Sequence, residues 1–493
     1  MLKRSRALAS VALIALAMGA GAAPAGAETL QEAIGLAYRT NPTLLAQRAN
    51  QRALDETIVQ ARSGLRPTIS ASAGVDYSRV DTDALGVVES DGATASVSLA
   101  QNIWTAGRTA RGIDAAEANV RAGRENLREI EQQVMTSVIQ AYADVVRDME
   151  ILRIRQENLT VLRRQLDESN ARFEVGEITR TDVAQSEARL AQSDADLANA
   201  QAQLSVSRAA YAAVVGQAPT NMETLPVLPG LPADFDGALD VALVENPGVR
   251  AAAYALQAAE ANVAAARSEY LPSARLTASY GGTANDLSGF DLTDRTSFTA
   301  GATVSVPLFT GGLNRSRVAQ ALERANAAQI TVEGERRGVL QTVSSTYAQT
   351  VAAKSTLQAG EQAVRAASVA AEGVRQEAQV GLRTTLDVLN QELELRSAQV
   401  TLASARRNEY VAQAQLLAAM GRLGGPNLDP SIAAYDAEAN YNSVRNRGGL
   451  PWDGAVEALD RVASPSTKPA ADAEDAPIDA QLKGEIVRTA PGN

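Results

Sequence analysis

Asn41-Pro42 recurs at Asn246-Pro247, 205 residues further on. The same shift carries Ala61-Arg62-Ser63 onto Ala266-Arg267-Ser268, Pro67 onto Pro272, and Thr105 and Gly107 onto Thr310 and Gly312. It also carries Tyr142-Ala143 onto Tyr347-Ala348, Val175-Gly176 onto Val380-Gly381, Asp182-Val183 onto Asp387-Val388, and Gly216 onto Gly421. One constant shift over so many positions is a gap-free duplication, and its period lies far beyond the ~20–50 residues of a solenoid repeat. The chain must therefore fold as two copies of one domain-sized unit. The first copy reads as residues 28–217 and the second as 237–422, joined by a linker at 218–236 that holds Pro219, Pro226, Pro229 and Pro232. A C-terminal segment at 423–462 opens on the helix breakers Gly424-Gly425-Pro426. The tail at 463–493, rich in Pro, Ala and Asp, reads as disordered.

Residues 1–27 read as a secretory signal. Lys3, Arg4 and Arg6 form a basic start, Ala7 to Met18 an apolar core, and Ala25-Gly26-Ala27 a small-residue cleavage site, so the mature chain is expected to begin near Glu28. An uncleaved anchor stays open as the alternative, although the apolar run is short for a bilayer span. No Cys follows, which excludes a lipid-anchored N-terminus. No other segment approaches the ~18 consecutive apolar residues of a membrane helix, so entry into a membrane would require strands. With neither Cys nor His, the chain lacks thiolate nucleophiles, imidazole bases and the usual zinc ligands. No cofactor or metal is expected, and nothing converges on enzyme chemistry. A net charge of −11 argues against nucleic acid as a partner.

No proline falls between Pro67 and Pro219, or between Pro307 and Pro426. An interior proline costs ~3 kcal/mol or more, so such gaps permit very long helices. The good helix formers Ala, Arg, Glu, Gln and Leu dominate from Gly107 to about Phe173 and from Thr181 to Val215, and again from Gly312 to about Ala378 and from Thr385 to Met420. Helices of this length normally pack as coiled coils. Strands precede them in each copy. Ile69, Ala71, Ala73, Val75 and Tyr77 alternate with small polar residues, as do Ala93 to Leu99, Ala274 to Tyr280 and Phe298 to Val306. One apolar and one small polar face is the pattern of outer-membrane barrel strands. The stretches Asp81–Gly92 and Thr283–Thr296 read as acidic hairpin loops. A soluble sheet with one wet face remains a second reading of the same alternation. On the membrane reading, four strands cannot close, because open edges are not tolerated in lipid and bacterial barrels run from about eight strands upward. Three chains would supply twelve.

At these motifs the sequence resembles the TolC family of outer-membrane efflux proteins, from about Glu28 to Asn442. The resemblance rests on the Asn-Pro pairs, the Ala-Arg-Ser motifs followed by Pro67 or Pro272, and the strand-to-helix junctions Asn102-Ile103-Trp104-Thr105-Ala106-Gly107 and Pro307-Leu308-Phe309-Thr310-Gly311-Gly312. Its most specific piece is the hairpin tip Val380-Gly381-Leu382-Arg383-Thr384-Thr385-Leu386-Asp387-Val388-Leu389. The resemblance implies a mainly α protein with membrane β: a homotrimer whose twelve strands form one barrel in the outer membrane and whose helical hairpins form a periplasmic tunnel. It further implies a C-terminal equatorial segment, a periplasmic adaptor, and an inner-membrane pump of RND, ABC or MFS type. The cargo would be small molecules or, in type I secretion, whole proteins. A periplasmic adaptor or a coiled-coil scaffold without a barrel is the alternative, and the strand pattern and duplication argue against both.

The candidate site is the pair of hairpin tips, Phe173 to Val183 and Ala378 to Val388. By resemblance, Arg383 would bond across to Asp182 of a neighbouring first hairpin, and Asp387 would form an acidic ring in the lumen. Asn390 stands where some relatives carry a second Asp, and Ala378 where some carry a locking Tyr. Val175, Gly176, Thr179, Val380, Gly381, Thr384 and Leu386 are the expected adaptor contacts; simple turn geometry and helix capping are the competing account. The copies differ at Ile178, whose counterpart is Arg383.

Overall fold

A computed structural model describes residues 28–82, 86–284, 291–293 and 295–467. The expected signal segment at 1–27 and the tail from 468 lie outside them. The first unit runs α1 (Leu30–Thr40), α2 (Pro42–Ser63), β1 (Thr68–Thr82), β2 (Gly86–Trp104), α3 (Arg108–Glu174) and α4 (Arg180–Val215). The second repeats that order as α5 (Phe235–Glu245), α6 (Pro247–Ser268), β3 (Ser273–Ala284), β4 (Arg295–Ser305), α7 (Leu313–Gln379) and α8 (Thr385–Ala419). Three short helices follow, α9 (Gly425–Leu428), α10 (Ala437–Val444) and α11 (Asp453–Asp460).

The residues shared by the copies sit at the joints of the unit. Asn41 is the N-cap of α2 and accepts from Thr43 N at 3.0 Å, while Pro42 takes the first helical position, where its missing N–H costs nothing. Asn246 caps α6 in the same way, accepting from Gly248 N at 2.9 Å. The other end of each amide ties the helix to the last turn of its own hairpin: Asn41 Nδ2 donates to Val214 O at 2.9 Å and Asn246 Nδ2 to Ala419 O at 3.0 Å. Gly107 and Gly312, at φ 86° and 88°, turn each strand into its long helix. That left-handed conformation is available to Gly without strain.

Helices α3 and α7 each have 67 residues, on the order of 100 Å at ~1.5 Å per residue. Each folds back on its partner, α4 or α8. Helix α3 is the centre of the subunit, packed by α2, α4, α6 and α8, and it buries Val134, Met135, Val138, Ile139 and Tyr142 in the main core with Tyr211 of α4 and Tyr410 and Leu417 of α8. Among the described residues, helix α7 packs mainly on α5, α6 and α8 and leaves Ile330 and Val369 in solvent. Among the described residues no helix is long and apolar enough to cross a membrane.

The strands form one antiparallel sheet in the order β1-β2-β3-β4, so β2 of one copy pairs with β3 of the other and β1 and β4 are the edges. Register places Ile69, Leu99, Ala278 and Ala300 in one row and Ala71, Val97, Tyr280 and Phe298 in the next. Ile69, Val97, Tyr280 and Phe298 are exposed. On the other face Ser70 pairs with Ser98 at 2.8 Å and Ser72 with Ser96 at 2.9 Å. The expected loop at Asp81–Gly92 is a correction: the β1–β2 ladder continues to Thr82 and Gly86, with Arg79 bonded to Glu89 at 2.9 Å. At 283–296, Thr283 and Ala284 end β3 and Arg295 and Thr296 begin β4; 285–290 and 294 lie outside the described residues. Beyond Tyr77 the alternation breaks down, with Arg79 and Asp81 continuing the apolar face and Val80 paired with Val88 on the other, but the backbone ladder does not need it.

Candidate functional site

Each hairpin reverses at a glycine, Gly176 at φ 80° or Gly381 at φ 81°. Each second helix then starts in a reciprocal cap. Thr179 N and Oγ1 donate to Asp182 Oδ2 at 2.9 and 2.7 Å, and Asp182 N returns a bond to Thr179 Oγ1 at 3.4 Å. Thr384 N and Oγ1 donate to Asp387 Oδ2 at 3.0 and 2.8 Å, with Asp387 N donating back at 3.2 Å. This capping box satisfies two orphan donors at once. The Thr179 hydroxyl, then its N–H, holds the Asp182 carboxyl below the ordinary Asp range. The Thr384 N–H, then its hydroxyl, does the same for Asp387, and Arg383 adds to it.

Arg383 and Asp182 are not brought together within the chain. Arg383 Nε donates to Glu377 Oε2 at 2.7 Å across its own turn, and this bond raises the guanidinium's already high pKa. Asn390 Oδ1 instead accepts from Arg189 Nη2 at 3.1 Å, a direct bond from α8 of the second hairpin to α4 of the first. Neither Glu377 nor Arg189 stands out in the sequence, because each is one charge among many on a solvated helix face.

Above the tip the hairpins are joined twice more through α3. Arg396 reaches Glu157 at 3.9 Å, and Arg407 grips Asp144 with Nε at 2.8 Å and Nη2 at 3.3 Å. The seam inside each hairpin differs between copies. The first is held by small polar pairs, Ser169 with Ser186 at 3.1 Å and Asn158 Nδ2 to Ser193 Oγ at 3.0 Å. The second packs Ala367, Ala371 and Leu395 and places Arg375 on the buried Glu392.

Of the expected adaptor contacts, Val175, Val380 and Leu386 are exposed apolar side chains, as are the neighbouring Phe173 and Leu382. Gly176 and Gly381 supply the turns, and Thr179 and Thr384 are committed to the caps. Among the described residues no group of three or more acidic side chains is placed to hold a metal ion. The arrangement is a pair of stiff levers with apolar ends and breakable polar ties between them.

Residues 33–217 and 238–422 match the family model described as Outer membrane efflux protein, one match to each copy of the duplication. The chain is 34% identical over 420 residues to the outer membrane efflux protein BepC of Brucella suis biovar 1 (strain 1330), covering 85% of this chain and 91% of that one. It is 29% identical over 420 residues to the outer membrane protein TolC of Vibrio cholerae serotype O1, covering 83% and 94%. Its fold is similar to the solved structure of the outer membrane protein VceC from Vibrio cholerae, with a TM-score of 0.68, 23% identity, and coverage of 80% and 96%.

Proposed function

This chain belongs to the outer membrane efflux protein family, and from that membership we propose that three copies assemble into one duct whose periplasmic mouth is gated by the hairpin tips. The protein is an outer-membrane channel subunit with its helical tunnel in the periplasm, and it works with adaptor and pump partners, as its family does. The observation that carries the trimer is the sheet: four strands with two open edges and an exposed apolar face. Lipid tolerates no open edge, and three such sheets supply the strands of a closed barrel. The uncovered flank of α7, with Ile330 and Val369, then meets the neighbouring subunit.

In the closed duct, Arg383 leaves Glu377 for Asp182 of a neighbouring first hairpin, and the Asp387 carboxylates ring the lumen and favour cations. The exposed Val175, Val380, Leu382 and Leu386 dock the adaptor. An inner-membrane pump of RND, ABC or MFS type supplies small molecules or, in type I secretion, an unfolded protein. Outer-membrane fractionation with a heat-modifiable trimer on a gel tests the assembly; a soluble periplasmic monomer sinks it. Arg383→Ala and Asp387→Ala are each expected to raise conductance in planar bilayers, and unchanged conductance removes the assigned gate roles.

A further inference from the structure

The C-terminal segment lies beyond both family-matched regions, and its last helix, α11, sits at the foot of the sheet. Arg66, just before β1, donates from Nε to Asp453 Oδ2 at 2.8 Å. At the far end of α11, Asp460 is fully buried. It takes the backbone N–H of Thr105, the Thr105 hydroxyl at 2.8 Å and the N–H of Ala110 at 3.1 Å. Glu457 accepts from Arg461 Nη2 at 3.2 Å, and Arg461 also holds Asp114 at 2.8 Å. All three carboxylates of α11 are thus bound to partners on the protein side.

The other side of α11 is apolar and open. Trp452, Ala455, Leu459 and Val462 follow at intervals of three, four and three residues, which is one face of a helix. Trp452 is 49% exposed, Leu459 46% and Val462 59%. This stripe stands on the apolar side of the sheet. Trp104, the last residue of β2, pairs with Ala274 across a register shift after Asn102. Ala274 is in phase with Leu276, Ala278 and Tyr280, the apolar row. The Trp104 indole N–H donates to Val462 O at 3.1 Å, fastening the end of the stripe to that row. Phe309, the counterpart of Trp104 in the second copy, is 90% exposed beside Leu308 at 94%.

We propose that α11 is an interfacial helix that rests its Trp452–Ala455–Leu459–Val462 stripe on the inner-leaflet phospholipids of the outer membrane. The inference rests on the barrel reading, because the occupant is set by continuity: the stripe prolongs the face that meets lipid. A face carrying a Trp with no unpaired charge is what the headgroup–acyl boundary takes, and a helix whose charges are all paired, Arg461 at 40% exposure among them, can lie flat there. The segment would set the height at which the tunnel meets the bilayer.

The chain has no Cys, so single-cysteine variants of the full protein report one position each. The test is spin labelling of Leu459→Cys in the trimer reconstituted in phosphatidylethanolamine–phosphatidylglycerol bilayers. Collision rates are measured with oxygen, which concentrates in lipid, and with a water-soluble nickel chelate. Phe298→Cys on the sheet is the lipid reference and Leu382→Cys at the tip is the water reference. The expected oxygen-to-nickel ratio at 459 is several-fold above that at 382 and on the side of 298. A ratio matching 382, with 298 still lipid-like, overturns the interfacial helix and leaves the barrel standing. Low collision with both probes overturns it too, because a neighbouring subunit or the tail would then be the cover. A water-like ratio at 298 removes the barrel reading and this inference together. Val462→Cys repeats the measurement on the same stripe if Leu459→Cys does not assemble.

Discussion

The bond from Arg189 to Asn390 makes the proposed gate quantitatively testable. It joins the two hairpins of one subunit close to the tip, since Asn390 is only the sixth residue of α8. The donor is charged, the acceptor is a neutral amide, and both side chains meet solvent, so each bond contributes roughly 0.5–1 kcal/mol to holding the hairpins together. In a threefold assembly the three bonds break together when the mouth opens, for a total of about 1.5–3 kcal/mol. At ~1.4 kcal/mol per factor of ten, their loss shifts the open-to-closed ratio roughly ten- to a hundredfold. Asn390→Ala and Arg189→Ala should each raise the mean current of the purified trimer in planar bilayers by a similar factor. Asn390 is uncharged, so its removal leaves the lumen potential alone, and a rise in current then reports opening rather than ion attraction. The double variant should equal either single variant, because one bond can be lost only once. Additive effects, or a closed channel in all three variants, would refute the tie.

Three further outcomes follow from the geometry. Asp460→Ala leaves two buried backbone N–H groups at the start of α3 without an acceptor and should destabilise the subunit by about 2–4 kcal/mol; melting followed by circular dichroism at the helical band checks it, and an unchanged midpoint removes the capping role. In alkali, burial pushes Tyr142 up to about 12 and Tyr211 higher still, the latter helped by its 2.6 Å bond to Glu28 Oε1. A raised folded pKa gives stability that is whole below the unfolded value of ~10 and is lost as pH climbs toward the folded one. Tyrosinate absorbance from this core should therefore appear only with loss of helix above about pH 10. In acid the signs reverse: Asp182 and Asp387 have depressed pKa values, so their caps persist above the ordinary Asp range and are lost as pH falls through the folded values. Hydrogen exchange at 176–183 and 381–388, corrected for intrinsic rates, should accelerate only below about pH 4, the upper end of that range; protection already lost well above pH 4 would count against the caps.

The sequence made the joints of the fold legible, because their chemistry is local. Gly107, Gly176, Gly216 and their counterparts mark left-handed turns, Asn-Pro marks a capped helix start, and Thr-x-x-Asp marks a capping box that opens three residues beyond each tip glycine. Strand length was less legible. The alternation that betrays a strand requires one apolar face, and β1 and β2 run past Tyr77, where polar and apolar residues mix on both faces. The partners of the site were not legible at all. Asn390 was read through a carboxylate it does not carry, and its partner Arg189 is 201 residues away. Glu377, which holds Arg383 within the chain, is likewise one acidic side chain among many on its helix.

What stays hidden in the sequence has one physical origin. A gap-free duplication repeats the backbone, and what recurs faithfully is what the backbone needs: glycines at positive φ, caps and prolines at first helical turns. It does not repeat the surroundings, because the elements outside the repeat exist once. One C-terminal segment serves two strand-to-helix junctions and can cover only one of them. Trp104 therefore meets the carbonyl of Val462, and Asp460 caps α3 from 355 residues away. Among the described residues, Phe309 and the start of α7 have no such cover. The same inequality makes α3 a buried axle and leaves α7 a flank. In the proposed trimer that difference has a use, since a closed ring joins two different faces of each subunit. The single-copy segment turns two equivalent units into an asymmetric, assembly-competent subunit, and the hairpin whose root it leaves bare is the one that carries Arg383, Asp387 and Asn390.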